Sequence, residues 1–176
     1  MKKIKILSLL FCVVMLVAAC HDDEEGPIIP QPREQVGRTV LVYIVGDNGV
    51  NELSDLFKTN FEDMKEGMKE VDYSKCNLVV YSEMVNDVPR LVSLKKQNGK
   101  VVADTLFTYS EQNPLAKEVM SSVISQTVSY FPADSYGFVF LSHSSSWVPA
   151  TNDANSRSIG YYRRTQMNIP DFHDVL

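Results

Sequence analysis

Cysteine is scarce in this chain. Of three cysteines, Cys12 and Cys20 fall in the first twenty residues, and only Cys76 lies in the remainder. A single thiol excludes an internal disulfide framework. Histidine is equally sparse, with His21, His143 and His173 the full set. Neither H-E-x-x-H nor paired C-x-x-C spacing occurs, so no metal centre and no cofactor is expected, a calcium requirement being left open. Internal repeats are absent. Basic residues are in short supply as well: residues 1–19 carry three of the 17 Lys+Arg and none of the 22 Asp+Glu, leaving 14 against 22, a net charge of −8. That balance argues against a nucleic-acid partner.

The one long apolar run stands at the start. Lys2, Lys3 and Lys5 precede Ile6 to Val17, interrupted only by Ser8, and the segment closes with Val17-Ala18-Ala19-Cys20. This is the outline of a secretory signal peptide over residues 1–19, with an apolar run too short for a comfortable membrane span. The Cys directly behind small residues resembles the lipobox of bacterial lipoproteins, which implies lipidation of Cys20. His21-Asp22-Asp23-Glu24-Glu25 resembles the acidic export signal of some Gram-negative lipoproteins. It implies an outer-membrane lipoprotein exposed at the cell surface; read as plain charge, the run keeps a tether extended. Gly26 to Gly37, with Pro27, Pro30 and Pro32, lacks periodicity and is expected to be a flexible linker. Residues 20–37 then form a tether and residues 38–176 one domain, long enough to bury a core.

Arg38 to Val45 is apolar and β-branched, and Gly46-Asp47-Asn48-Gly49 breaks it. Leu53, Leu56, Phe57, Phe61, Met64 and Met68 recur at helical steps, so a helix capped by Asn48 or Asn51 is expected to about Val71. Leu78 to Tyr81 reads as a strand. Arg90–Lys96 and Val101–Phe107 flank an Asn98-Gly99 hairpin turn. Asn113-Pro114 is expected to open a second helix as cap and first residue, with Leu115, Val119, Val123, Ile124 and Val128 as its core stripe. Then comes Tyr136 to Leu141, bounded by a turn-like Pro132–Ser135 and expected to be a strand buried on both faces. Strand–helix–strand–hairpin–helix–strand predicts an α/β layered sheet, with Val40–Val45, Leu78–Tyr81 and Phe138–Leu141 as parallel neighbours.

The last strand delivers His143, followed by Ser144, Ser145, Ser146 and the only tryptophan, Trp147. In open α/β sheets the chemistry sits beyond the carboxyl ends of the strands. His143 is therefore a candidate general base or the partner of a nucleophile. The plain alternative is a turn histidine that caps the strand. Asp47 is expected at the same edge. Cys76, ahead of its strand, is expected at the opposite edge, roughly 15–20 Å from His143, whereas proton transfer needs about 3 Å. His21 lies in the tether and His173 has no evident partner, while Asp153 and Asp171 belong to no motif. A serine hydrolase built on Ser144 to Ser146 lacks G-x-S-x-G.

Thr39-Val40-Leu41-Val42-Tyr43 through Asp47-Asn48 resembles the opening strand of the clostripain-like cysteine peptidases, which run T-V-L-V-Y-x-x-x-D-N. Ser129 to Tyr136 is similar to that family's N-Y-P-A-D-x-Y, and Leu141 to Trp147 to its W/S-x-H-G-x-G-W. Met167 to Leu176 resembles its next helix start. The resemblance runs in order from Arg38 to the end. It implies a caspase-like α/β/α sandwich with a mostly parallel sheet. It also implies a His/Cys dyad that cleaves peptide or protein substrates, often after Arg or Lys, with His143 catalytic. Ser144 stands where the family has glycine and keeps the backbone N–H for the oxyanion; a positive φ there would strain a serine by roughly 1–2 kcal/mol. Asp47 and Trp147 are assigned to substrate binding. Ser146 replaces a second glycine. The family's nucleophile follows a further strand in a D-x-C context that does not occur before Leu176. The sheet is therefore expected to be incomplete and residues 1–176 inactive alone. The alternative is a non-catalytic surface lipoprotein that binds peptide or glycan with the same fold.

Overall fold

The computed structural model describes residues 30–49, 51–144 and 158–176, apart from the side chains of residues 51 and 52. Cys20, the acidic patch, Ser145, Ser146, Trp147 and Asp153 lie outside the described residues. The elements in chain order are β1 (Val36–Val45), α1 (Asn51–Gly67) with a 3-10 turn at Met68–Glu70, β2 (Cys76–Glu83), β3 (Arg90–Gln97) and β4 (Lys100–Thr108). They are followed by α2 (Lys117–Tyr130), β5 (Ala133–Leu141), β6 (Ser158–Tyr162), β7 (Thr165–Asn168) and α3 (Ile169–Val175). Five strands form one sheet in the order β4-β3-β2-β1-β5, and β6 with β7 forms a separate hairpin.

The sheet is mixed. β1 pairs parallel with β2 and with β5, placing the three expected strands side by side. β3 and β4 extend it antiparallel beyond β2. Asn98 (φ 51°) and Gly99 (φ 77°) make the turn between them with two left-handed residues, the hairpin geometry that Asn-Gly favours.

Alternate residues of β1 serve opposite faces. Leu41, Tyr43 and Val45 pack with Val79, Tyr81, Met120, Val123 and Phe131 beneath α2. Val42 and Ile44 join Phe57, Val80, Met84 and Val92 beneath α1. The helix stripe expected for α1 holds except at Leu56, which is 55% exposed.

Three expectations are corrected. Asn113-Pro114 does not cap α2: Asn113 Oδ1 accepts from Leu115 N–H (3.0 Å) and Ala116 N–H donates to Asn113 O (3.1 Å), a turn that delays the helix to Lys117. Its buried face is Met120, Val123 and Thr127, and Val128 is turned outward. Thr127 is tolerated inside because its hydroxyl donates to Val123 O at 2.8 Å.

β5 is not buried on both faces. It is the edge strand of the described sheet, and Tyr136 and Val139 are exposed. On one face Phe138 and Phe140 are covered, each with its ring within 6 Å of Phe172 of α3, and on the other Leu141 packs against the core beneath α1. The strand also begins at Ala133, inside the segment expected to turn.

The linker expected through Gly37 is docked from Arg33 onward. Arg33 N–H donates to Tyr130 O (2.9 Å) and its guanidinium lies 4.7 Å over the Phe131 ring, and β1 begins at Val36.

Candidate functional site

The register fixes which residues share an edge. Arg38 faces Cys76 on one side and Ser135 on the other, so Cys76 sits at the amino end of the parallel strands. Ile44 faces Leu141 at their carboxyl ends, which puts Asp47 and His143 just beyond, on the same edge. From Ser135 to Leu141 the strand climbs about 20 Å, and His143 lies two residues further. Cys76 is therefore out of reach of His143. It is half-buried, with its sulfur 3.7 Å from Asp72 O.

His143 is exposed, and its ring centroid lies 5.3 Å from that of Tyr161 on β6. The residues on either side of it are tied to the same strand. Tyr161 N–H donates to Ser142 Oγ (3.2 Å), and the Ser142 hydroxyl donates to Tyr161 O (3.4 Å). Ser144 Oγ–H donates to Ser158 O at 2.9 Å, a bond that glycine could not make. The described non-glycine residues with positive φ are Asn86, Asn98 and Arg163, so Ser144 carries no left-handed strain.

The β6–β7 hairpin was not legible in the sequence, because its turn is Arg163-Arg164 rather than a glycine or asparagine pair. It lies over the α2 side of the sheet, where Ile159, Tyr162 and Met167 join the larger core. Gly160 is required by close approach. A Cβ there would stand 2.9 Å from both Leu115 Cδ2 and Phe140 Cζ.

Asp47 is buried and occupied from within the chain. Arg163 donates to it twice, from its backbone N–H to Asp47 O (2.9 Å) and from Nε to Asp47 Oδ2 (2.7 Å). Arg163 also pairs with Glu111 through Nη1. The hydrogen bonds it donates to these two carboxylates hold the guanidinium pKa above its ordinary value.

Glu83, at the end of β2, is buried beside them, and its Oε2 accepts from Asp47 N–H at 3.3 Å. Burial, reinforced by the Asp47 charge, pushes the Glu83 carboxyl up to about 7. Glu83, Tyr109, Glu111 and Arg163 line a cleft of about 410 Å³ next to this cluster. The turn leading into α1 is held by Ser54, whose hydroxyl donates to Gly46 O (3.0 Å) and accepts from Val85 N–H (3.0 Å).

The other candidates scatter. Asp171 N–H is capped by Asn168 Oδ1 (2.7 Å) in the first turn of α3, and its carboxylate pairs with Lys117 at 3.4 Å. The His173 side chain is 88% exposed. Among the described residues, no group of three or more His, Cys, Asp or Glu is placed to hold a metal ion. The edge thus offers an exposed imidazole with a fixed neighbour and an acidic rim that binds a guanidinium.

The sequence profile of the Clostripain family matches residues 42–176. Among solved structures, a Bacteroides fragilis cysteine protease is similar at 41% identity (TM-score 0.59), covering 68% of this chain and 98% of that one. A secreted C11 cysteine protease from Bacteroides thetaiotaomicron, solved with an irreversible peptide inhibitor, is similar at 40% identity (TM-score 0.66) over 80% of this chain and 38% of that one. An inactive zymogen C11 protease from Parabacteroides distasonis is similar at 34% identity (TM-score 0.60) over 67% of this chain and 34% of that one. The present chain thus spans little more than a third of the latter two. No curated protein matches. With the profile covering most of the chain, and a cysteine protease similar at 41% identity over 98% of its own length, the chain belongs to the clostripain family.

Proposed function

We propose that this chain is the histidine-bearing portion of a lipid-anchored cysteine endopeptidase, with His143 as general base toward a thiol supplied from outside residues 1–176. The observation that carries the reading is the position of His143: exposed past the end of β5, beside Tyr161, in a chain of the clostripain family. An imidazole so placed takes the proton of a thiol and returns it to the leaving amine. The Ser144 N–H is assigned to the oxyanion. Peptides with Arg or Lys before the scissile bond are the expected substrates, because the acidic rim beside Glu83 already holds one guanidinium, on Asp47 and Glu111. Asp47 contributes there through its charge, its carboxylate being engaged by Arg163, and Trp147 is assigned to direct substrate contact. Lipid on Cys20 holds the protein at the outer membrane, facing outward.

The protein isolated from its native membrane should cleave Arg- and Lys-containing peptides. His143→Ala should lower kcat/KM by about a hundredfold or more; undiminished cleavage in that variant sinks the proposal. Residues 1–176 alone should be inactive, since an imidazole without a thiol forms no acyl-enzyme. Intact-mass measurement should find residues 1–19 removed and a diacylglyceryl group on Cys20. A second reading, a non-catalytic lipoprotein that binds peptide or glycan, is favoured by one observation: Ser144 replaces the family's glycine and spends its hydroxyl on Ser158. Saturable peptide or glycan binding without cleavage by the native protein would select it.

A further inference from the structure

Arg163 combines two features that its place in a surface turn does not explain. Its φ of +51° is not one of them, because a two-residue hairpin turn asks for a left-handed first residue. Its backbone N–H and its guanidinium Nε both bond the same residue, Asp47, whose side chain is only 9% exposed. It also stands two residues beyond Tyr161, in the turn that ends β6. Tyr161 thereby reaches the loop beyond β5, and Arg163 reaches the loop beyond the neighbouring β1.

From this arrangement we infer that Arg163 is a positioning residue for His143. By latching the β6–β7 hairpin to Asp47, it holds Tyr161 against the imidazole and holds the Ser158 and Tyr161 backbone on Ser144 and Ser142. The hairpin touches His143 at one end and the ion pair at the other. Only Tyr162, buried in the core, separates Tyr161 from Arg163, and Gly160 on the far side of Tyr161 is seated on Leu115 and Phe140. A base held within a narrow range of orientations meets its thiol in reactive geometry more often, so the latch acts on kcat rather than on substrate affinity. The inference takes the role of His143 as base from the proposed function, but the placement of its ring is measurable without catalysis.

The test is proton NMR of the full chain, with the His143 ring signals assigned by their loss in His143→Gln. In the parent protein the Tyr161 ring should displace those signals from their free-histidine positions, and Tyr161→Leu should abolish the displacement. Arg163→Gln should remove most of it and speed amide exchange in β6 by roughly an order of magnitude, leaving β1 and β2 protected. Arg163→Lys keeps a cation for Asp47 but loses the forked geometry. It should fall between, with displacement and exchange changing together. His143 signals unmoved in Arg163→Gln overturn the inference, as does any Arg163 variant in which β6 exchanges faster while His143 stays put. In a cleavage assay of the native protein, Arg163→Lys should lower kcat with KM unchanged. Cleavage that is indifferent to His143→Ala refutes the catalytic reading and leaves the NMR result standing.

Discussion

The two edges of the parallel strands are made from the same three segments of chain and solve opposite problems. At the amino edge, the buried polar side chains are neutral and satisfied as a pair. Thr39 Oγ1 donates to Phe131 O (3.0 Å) and accepts from Asn77 Nδ2 (3.1 Å), and both side chains are buried. Arg38 and Ser135 close the same end across β1 and β5. At the carboxyl edge, Asp47 and Glu83 are buried carboxyl groups, and the partner of Asp47, Arg163, arrives from 116 residues further along the chain. One edge is a seal and the other is a site. Buried carboxylates are costly unless paired, so a fold that retains two of them at one edge commits a distant segment to that edge.

Variants can break this contrast. The largest expected effect is at the amino edge, where Phe131 is fully buried. Phe131→Ala should lower unfolding free energy in urea by about 3–5 kcal/mol. The His143 signals should stay unchanged below the transition; a shift of His143 would show that the edges are coupled.

The second effect belongs to Glu83. Its carboxyl titrates near 4.5 when unfolded and about 7 when folded, so the folded state binds the proton more tightly between those values. The stability it contributes is therefore full below about pH 4.5 and is lost as pH rises through about 7, by at most about 3 kcal/mol. Glu83→Gln should flatten that portion of the stability–pH curve. An unaltered slope would remove Glu83 from the account.

Thr39→Val leaves the Asn77 amide and the Phe131 carbonyl without their partner, and about 1–3 kcal/mol should be lost in thermal or urea unfolding. The smallest effect is at Cys76. Cys76→Ser should change stability by no more than about 0.5 kcal/mol and leave peptide cleavage by the native protein intact. Loss of activity would mean that the thiol at the sealed edge is not the bystander its position makes it.

Much of the sheet could be read from the chain because its signals are local. The β1 run, the Leu78–Tyr81 run and Asn98-Gly99 each carry their own period or turn chemistry. The misreadings share a cause. Asn113 is as good a turn former as a cap, and only the tertiary position of Leu115, buried in the core, settles which bond its side chain makes. Val128 turns outward because the helix, begun three residues later than expected, buries Met120, Val123 and Thr127 instead. β5 is apolar throughout, and composition alone does not tell a central strand from an edge strand.

By itself the sequence determined the order of strands and helices as far as Leu141, apart from where some begin, and that His143 and Asp47 share the edge opposite Cys76. Side-chain period and strand direction dictate both, and both are properties of neighbouring residues. Tertiary structure decided the rest. That Arg163 of an unsignalled turn seeks out Asp47, that Tyr161 meets His143, and that Gly160 must have no side chain all follow from packing between residues far apart in the chain. Such contacts leave no local pattern, because their energy comes from the burial and charge of a partner that only folding brings near.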